Sequence, residues 1–258
     1  KIAKWYYSSM CTEGSCTGFF INLDNSWWIG RNNDYLLPKH WRYINIIEVE
    51  NKIPVMLFGL EGDIFSGTGF NKEKLWIHYN WLPVWDYINE NKQDVLSPFV
   101  FIRKALENCK SIKDVEIMLQ NTKRDGGMNL FVIEGVKNEA AVFECTCKKY
   151  KKRKFKNSYI VGSNHYCVTE VPDEYNFDFS NSKNRQSRVK ELLSIENNNI
   201  SIEGMMSILA DDRVEQYNNM SGTVYSNIAC PDQNLIWYAC DGFPAASQSN
   251  WERVEWIW

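Results

Sequence analysis

Residues 13–37 read EGSCTGFFINLDNSWWIGRNNDYLL, two apolar runs on either side of Asp24-Asn25. Runs rich in Phe, Ile and Trp flanking such a turn predict a β-hairpin. Its first strand opens on Cys16, and its second ends on Gly30-Arg31-Asn32-Asn33-Asp34. Closing the hairpin therefore returns an arginine and a carboxylate to a thiol.

The chain of 258 residues is 44% hydrophobic, enough for one large core or two small ones. No apolar run approaches the roughly 18 to 20 residues of a membrane helix, so a soluble protein without a membrane span is expected. A net charge of -3 exerts no global pull on nucleic acid or anionic lipid. No charged-then-apolar signal segment follows Lys1. The eight cysteines (11, 16, 109, 145, 147, 167, 230 and 240) are scattered through a chain large enough to need no disulfide staples. They fit a reducing compartment, and a cytoplasmic location is expected. Glycosylation triplets at Asn199 and Asn219 are what an asparagine-rich sequence produces by chance.

Short strands are predicted at 16–22, 27–32, 42–49, 53–60 and 74–80. "SPFVFIRKALENC" has Ser97 as an N-cap and Pro98 at the first helical position. "SIKDVEIMLQN" begins with Ser111-x-x-Asp114, a capping-box variant. Strand patterns return in "DGGMNLFVIEG", "AAVFECTCKKY" and "SYIVGSN", helices at 182–195 and 201–210, then strands in "TVYSNIAC", "LIWYAC" and "WERVEWIW". Strand blocks alternating with helix pairs predict an α+β fold, a four-layer αββα sandwich of two mostly antiparallel sheets with the helix pairs outside. No linker separates domains. The expected organisation is a pro-segment remnant or leader at 1–15 and one catalytic domain at 16–258.

A thiol is a weak nucleophile until something takes its proton. His40, His78 and His165, the only histidines, stand in no recognisable Cys-His context. Cutting the chain before Cys16 creates another base, an α-amine with a reference pKa of about 7.7 to 8.0 on the same residue as the thiol. Gly14-Ser15 gives that peptide bond a flexible approach.

Cys16-Thr17-Gly18, the hairpin and Gly30-Arg31-Asn32-Asn33-Asp34 resemble the opening of the N-terminal nucleophile hydrolases. Within them the resemblance is to the penicillin acyltransferase branch, with choloylglycine hydrolases and acid-ceramidase-type amidases as relatives. "GFNKEKLWIHYNWL" (69–82) is similar to that family's Gly-x-Asn-x-x-Gly-Leu-x-Val-x-x-Asn segment, with Lys74 in place of a glycine. "VGSNHY" (161–166) resembles its Thr-Asn-His segment, with Ser163 for Thr. "NSKNRQSRVKELL" is similar to its Ser-x-x-Arg helix start, and "NIACPDQNLIWYACDGFP" to its closing hairpin. The resemblance runs from Cys16 to about Pro244. It implies Cys16 as nucleophile with its own amine as base, Asp34 orienting that amine, and Arg31 favouring thiolate. It implies Asn164 and Asn80 as oxyanion donors, Asn80 partly through its backbone, and Arg185 as the helix-start arginine near the pocket. The fifteen residues ahead of Cys16 depart from the mature family pattern, since an uncut chain has an amide nitrogen where the base belongs.

Each feature has a plainer alternative. Cys16 could be core, since cysteine is often buried. Cys11-Thr12 is a rival terminus, though it lacks an adjoining apolar strand. Arg31 and Asp34 could form a surface ion pair, and Asn80 and Asn164 could cap strand ends. "ECTC" (144–147) with "HYC" (165–167) raises a zinc site, but Phe143, Cys145 and Cys147 share the alternation of a core-facing stripe. The basic run "KKYKKRKFK" (148–156) reads as a solvated hairpin or an anion-binding patch. Trp76, Trp81 and Trp85 around Asn80 are either core or the wall of an apolar acyl pocket.

The expected activity is hydrolysis of a linear non-peptide amide, or transfer of its acyl group, through a Cys16 acyl-enzyme. No cofactor or metal is called for. The expected partner is a small-molecule N-acyl amide, with no nucleic acid, and homo-oligomerisation is left open. The rival is a catalytically inactive relative, a scaffold that binds an anionic partner through residues 148–156.

Overall fold

The computed structural model describes residues 15–36, 42–60, 64–88, 95–155, 157–195, 199–219 and 221–258. Cys11, His40 and most of the expected leader lie outside them. Tyr159–Gly162 (β12), Cys16–Leu23 (β1), Ser26–Leu36 (β2), Ser221–Cys230 (β13), Leu235–Ala239 (β14) and Glu252–Arg253 (β15) form one six-stranded sheet in that order. Tyr150–Lys152 (β11), Glu139–Cys145 (β10), Gly127–Glu134 (β9), Leu75–Leu82 (β6), Thr68–Asn71 (β5), Val55–Leu60 (β4) and Arg42–Ile47 (β3) form a seven-stranded sheet. Neighbouring strands in both sheets are antiparallel. Val95–Leu96 (β7) and Lys123–Arg124 (β8) make a small parallel pair that the sequence pattern did not signal.

Helices Pro98–Asn108 (α1) and Ile112–Asn121 (α2) cover the outer face of the seven-stranded sheet. Ser180–Ile195 (α3), Ile202–Leu209 (α4) and the short Ala245–Gln248 (α5) cover the outer face of the six-stranded one. The fold is the αββα sandwich expected from the order of elements. Strands buried on both faces account for the unbroken apolar runs. In β9, Leu130 and Val132 face the helices while Phe131 and Ile133 face the other sheet. In β1, Phe19 and Ile21 face the helices and Phe20 the inter-sheet core. The helix starts follow their sequence signals: Ser97 Oγ accepts from Val100 N, and Ser111 and Asp114 complete a capping box.

Several local expectations differ. The segment 74–80 is the second arm of a hairpin whose first arm, β5, was missed. Its tight turn leaves Lys74 left-handed at φ 60, the position where the family pattern carries glycine. "WERVEWIW" supplies only two paired residues. Trp256 instead stacks on Phe70 at 4.3 Å, with Trp258 edge-on at 5.7 Å, because burying indoles against the inter-sheet core outweighs extending the sheet. Phe143 and Cys145 do lie in the core under α1 and α2. Arg153, inside the basic run, is buried, 3.7 Å from the Glu144 carboxylate and donating to Val161 O. That part of the run is not solvated.

Asp24 and Asn25 take φ values of 48° and 62°, the two left-handed residues that a tight two-residue hairpin requires. Gly30 follows from packing: an added Cβ would stand 2.1 Å from Phe19 Cζ, and Phe19 is fully buried across it. Gly30→Ala is expected to cost about 1–3 kcal/mol by overpacking, read as a lower urea midpoint with unchanged slope. An unchanged midpoint would mean the Phe19 ring has room to retreat.

Candidate active site

Register and alternation build the site. The hairpin pairs Cys16 with Asn33 and Gly18 with Arg31, so Cys16, Arg31 and Asn33 share the inter-sheet face. Arg31 Nη2 lies 3.7 Å from Cys16 Sγ and donates to Asn33 Oδ1 at 2.8 Å; Asn33 Oδ1 is itself 3.7 Å from the sulfur. Arg31 Nη1 donates to Tyr79 O at 2.7 Å and to Asn80 Oδ1 at 2.8 Å. Asn80, on β6, passes the contact back to the first sheet by donating to Gly162 O at 2.9 Å.

The backbone of Cys16 is held by a different set. Cys16 N donates to Asn164 Oδ1 at 2.9 Å. Asn164 follows β12, and its Nδ2 donates to Trp81 O at 2.8 Å. Arg185, on α3, donates through Nη1 to Cys16 O at 2.8 Å and to Thr17 Oγ1, and through Nη2 to Asn164 Oδ1 at 2.9 Å. The Asp34 backbone N–H donates to the carbonyl of Ser15, the residue ahead of the thiol, at 2.9 Å. Asp34 Oδ1 accepts from Thr223 Oγ1 at 2.7 Å. All six residues singled out in the sequence thus meet in one buried cluster.

The electrostatics follow from burial. Cys16 is 6% exposed, and desolvation raises its thiol pKa, with the Arg31 cation pulling the other way. Burial likewise lifts the Asp34 carboxyl to about 6, opposed first by Arg185. A cavity of about 310 Å³ adjoins the cluster, walled by Trp81, Pro83, Phe177, Phe179, Arg185 and Ser15. Cys16 does not line it, whereas Ser15 does.

The three tryptophans separate. Trp81 walls this cavity, Trp85 lies against Tyr166, and Trp76 belongs to the inter-sheet core, stacked on Phe70. A single tryptophan wall around Asn80 is therefore not what the strand builds, because alternation sends neighbouring indoles different ways. His165 Nδ1 bonds Ser182 Oγ at 2.7 Å, and Cys145 and Cys147 are buried. Among the described residues, no three His, Cys, Asp or Glu side chains gather as metal ligands. No described helix is long and apolar enough to cross a membrane.

Asn33, Thr223 and Ser182 went unnoticed in the sequence. Asn33 was accessible, since counting outward from a turn at Asp24-Asn25 puts it opposite Cys16. Thr223 and Ser182, which accepts from Asn164 N at 2.7 Å, arrive from distant elements and give no local signal.

The chain is similar in fold to several solved structures. A variant of the conjugated bile acid hydrolase from Clostridium perfringens aligns with TM-score 0.67 and 16% identity over 93% of this chain and 97% of that one. The Caenorhabditis elegans ortholog of N-acylethanolamine-hydrolyzing acid amidase gives 0.64 and 17%, over 93% and 100%. Penicillin V acylase from Agrobacterium tumefaciens gives 0.64 and 13%, over 93% and 86%. Comparison with the curated proteins returns no match. The family model described as acyl-coenzyme A:6-aminopenicillanic acid acyl-transferase matches residues 21–244, most of the sequence, and the chain belongs to that family, within the N-terminal nucleophile hydrolases.

Proposed function

We propose that this chain is an N-terminal-cysteine enzyme that hydrolyses a linear non-peptide amide or transfers its acyl group, after cutting itself between Ser15 and Cys16. The observation that carries this is the division of labour around one residue. Cys16 has Arg31 at its sulfur, Asn164 at its nitrogen, and Asp34 N–H on the carbonyl immediately before it. Residues 1–15 are then a leader and 16–258 the catalytic domain.

In maturation, Cys16 Sγ adds to the Ser15 carbonyl carbon while Asp34 N–H steadies the oxygen. The C–N bond breaks, the nitrogen takes a proton, and Ser15 is left as a thioester on the sulfur. Water hydrolyses that thioester to the Ser15 carboxylate and frees both thiol and α-amine. In turnover, the amine takes the thiol proton and the sulfur attacks the substrate amide. The same amine then protonates the departing nitrogen, and water or a second amine resolves the acyl-enzyme. Asp34 orients the amine and Arg31 favours thiolate.

Asn80 and Asn164 are the proposed oxyanion donors, each such donor being worth about 3 kcal/mol. Arg185 acts by holding Asn164 and the Cys16 carbonyl. Trp81, Phe177 and Phe179 suit an apolar acyl group. The seven described cysteines are free thiols, which supports the cytoplasmic expectation. The scaffold alternative gains nothing from the inward-turned Arg153.

Intact mass and N-terminal sequencing of the purified protein test the proposal: a terminus at Cys16 is expected, and a working protein with an unbroken Ser15–Cys16 bond would overturn it. Cys16→Ala is expected to keep its leader and to lose N-acyl amide turnover; retained turnover sinks the mechanism.

Asp34 gives a pH signature in the uncut Cys16→Ala chain. Its carboxyl sits at about 6 against an ordinary 3.8, so its contribution is fully favourable below 3.8 and is lost as pH rises through 6. Asn, which mimics the neutral acid, is expected to stabilise that chain by about 1 kcal/mol near pH 4.5 and about 3 kcal/mol near pH 8. Urea unfolding at the two pH values measures this, and a pH-independent difference contradicts a raised carboxyl.

A further inference from the structure

The layer between the sheets is not wholly apolar next to Cys16. One register row of the six-stranded sheet runs through Gly162, Gly18, Arg31, Asn227 and Tyr238. On the facing sheet, His78 and Asn80 lie along β6, and Asn129 of β9 pairs with Asn80. The two glycines admit these side chains. An added Cβ at Gly18 would stand 2.7 Å from His78 Nε2, and one at Gly162 would stand 2.5 Å from Asn129 Nδ2. His78 Nε2, Arg31 Nε, and both amide atoms of Asn129 and of Asn227 are buried and make no hydrogen bond within the protein.

The Trp76 indole N–H donates to His78 Nδ1 at 3.0 Å, so the neutral ring carries its proton on Nε2. Burial first, and the Arg31 charge second, hold that ring well below the usual histidine pKa. His78 Nε2–H and Arg31 Nε–H are thus two donors at the same row, both lacking a protein acceptor. Native proteins satisfy such buried atoms with ordered water. Gly18 and Gly162 are cross-strand partners on strands about 4.8 Å apart, a span that one water bridges with two hydrogen bonds of about 2.8 Å.

We propose that ordered water occupies this inter-sheet row, accepting from His78 Nε2 and Arg31 Nε and exchanging hydrogen bonds with the Asn129 and Asn227 amides, which donate through Nδ2 and accept through Oδ1, and that His78 is a positioning residue that fixes the Arg31 guanidinium against the Cys16 sulfur through it. The second half rests on Cys16 being the activated thiol; the water site does not. The guanidinium's other N–H groups are committed to Tyr79 O, Asn80, Asn33 and the sulfur, so Nε is the face this water completes. The charged groups acting on the thiol are Arg31, Asp34 and Arg185.

Oxygen-17 relaxation dispersion counts long-lived internal waters, and iodoacetamide labelling of Cys16, followed by peptide mass spectrometry across pH, reads the thiol. His78→Phe keeps a ring against Phe131, whose centroid is 4.5 Å from that of His78, and removes the N–H. It is expected to lower the water count, to slow labelling at pH 7 about tenfold, and to move the labelling midpoint up by about one unit. His78→Gln, which returns a donor, is expected to recover much of both. An unchanged water count, or an unchanged midpoint in a folded His78→Phe protein, overturns the proposal, since a purely structural role lowers stability without moving the profile. Should His78→Phe not fold, Asn129→Leu carries the same two readouts. Slow labelling of Cys16 in the unaltered protein counts against the active-site reading and the positioning role together, and the water count then decides the water site on its own.

Discussion

Alternation across a single hairpin determines what can meet the thiol. Because β1 and β2 turn through just two residues, Cys16 faces Asn33, and Arg31 falls on the same side two residues further in. A slip of one residue would send the guanidinium to the helix side of the sheet and put Gly30 or Asn32 in its place. The same alternation places Asp34 on the opposite face, where Thr223 meets it. Sulfur and backbone nitrogen are therefore served by different groups without competing for them.

The cluster buries two guanidinium groups and one carboxylate, which is costly unless every donor finds an oxygen. Asparagine is the common solution. Asn33, Asn80, Asn164 and Asn181 each present a carbonyl oxygen to Arg31 or Arg185. An amide accepts from a cation without adding a charge of its own, so the guanidinium groups stay positive beside the thiol. Two sheets and one helix are tied together in the process.

Most of the layered architecture was legible because both sheets are covered on both faces, which leaves long apolar strands, and because the helix starts carry explicit caps at Ser97 and Ser111. The site was legible where its residues sit in the hairpin or in short motifs on neighbouring strands. What escaped notice depends on tertiary packing. Trp256 and Trp258 look like strand residues but pack as a cover over Phe70. Trp76 and Trp81 look like one wall but face apart. Thr223 meets Asp34 only because β13 lies beside β2, a pairing of segments nearly two hundred residues apart that no local pattern encodes.

The hydrogen bond from Asp34 N–H to the Ser15 carbonyl bears on timing. Attacking sulfur and target carbon belong to adjacent residues of one chain, so removal of the leader on the proposed route is a first-order event. Dilution does not slow it, and a second molecule is not required. Each newly folded copy would arm itself on its own clock, set by how well the hairpin holds that carbonyl in place.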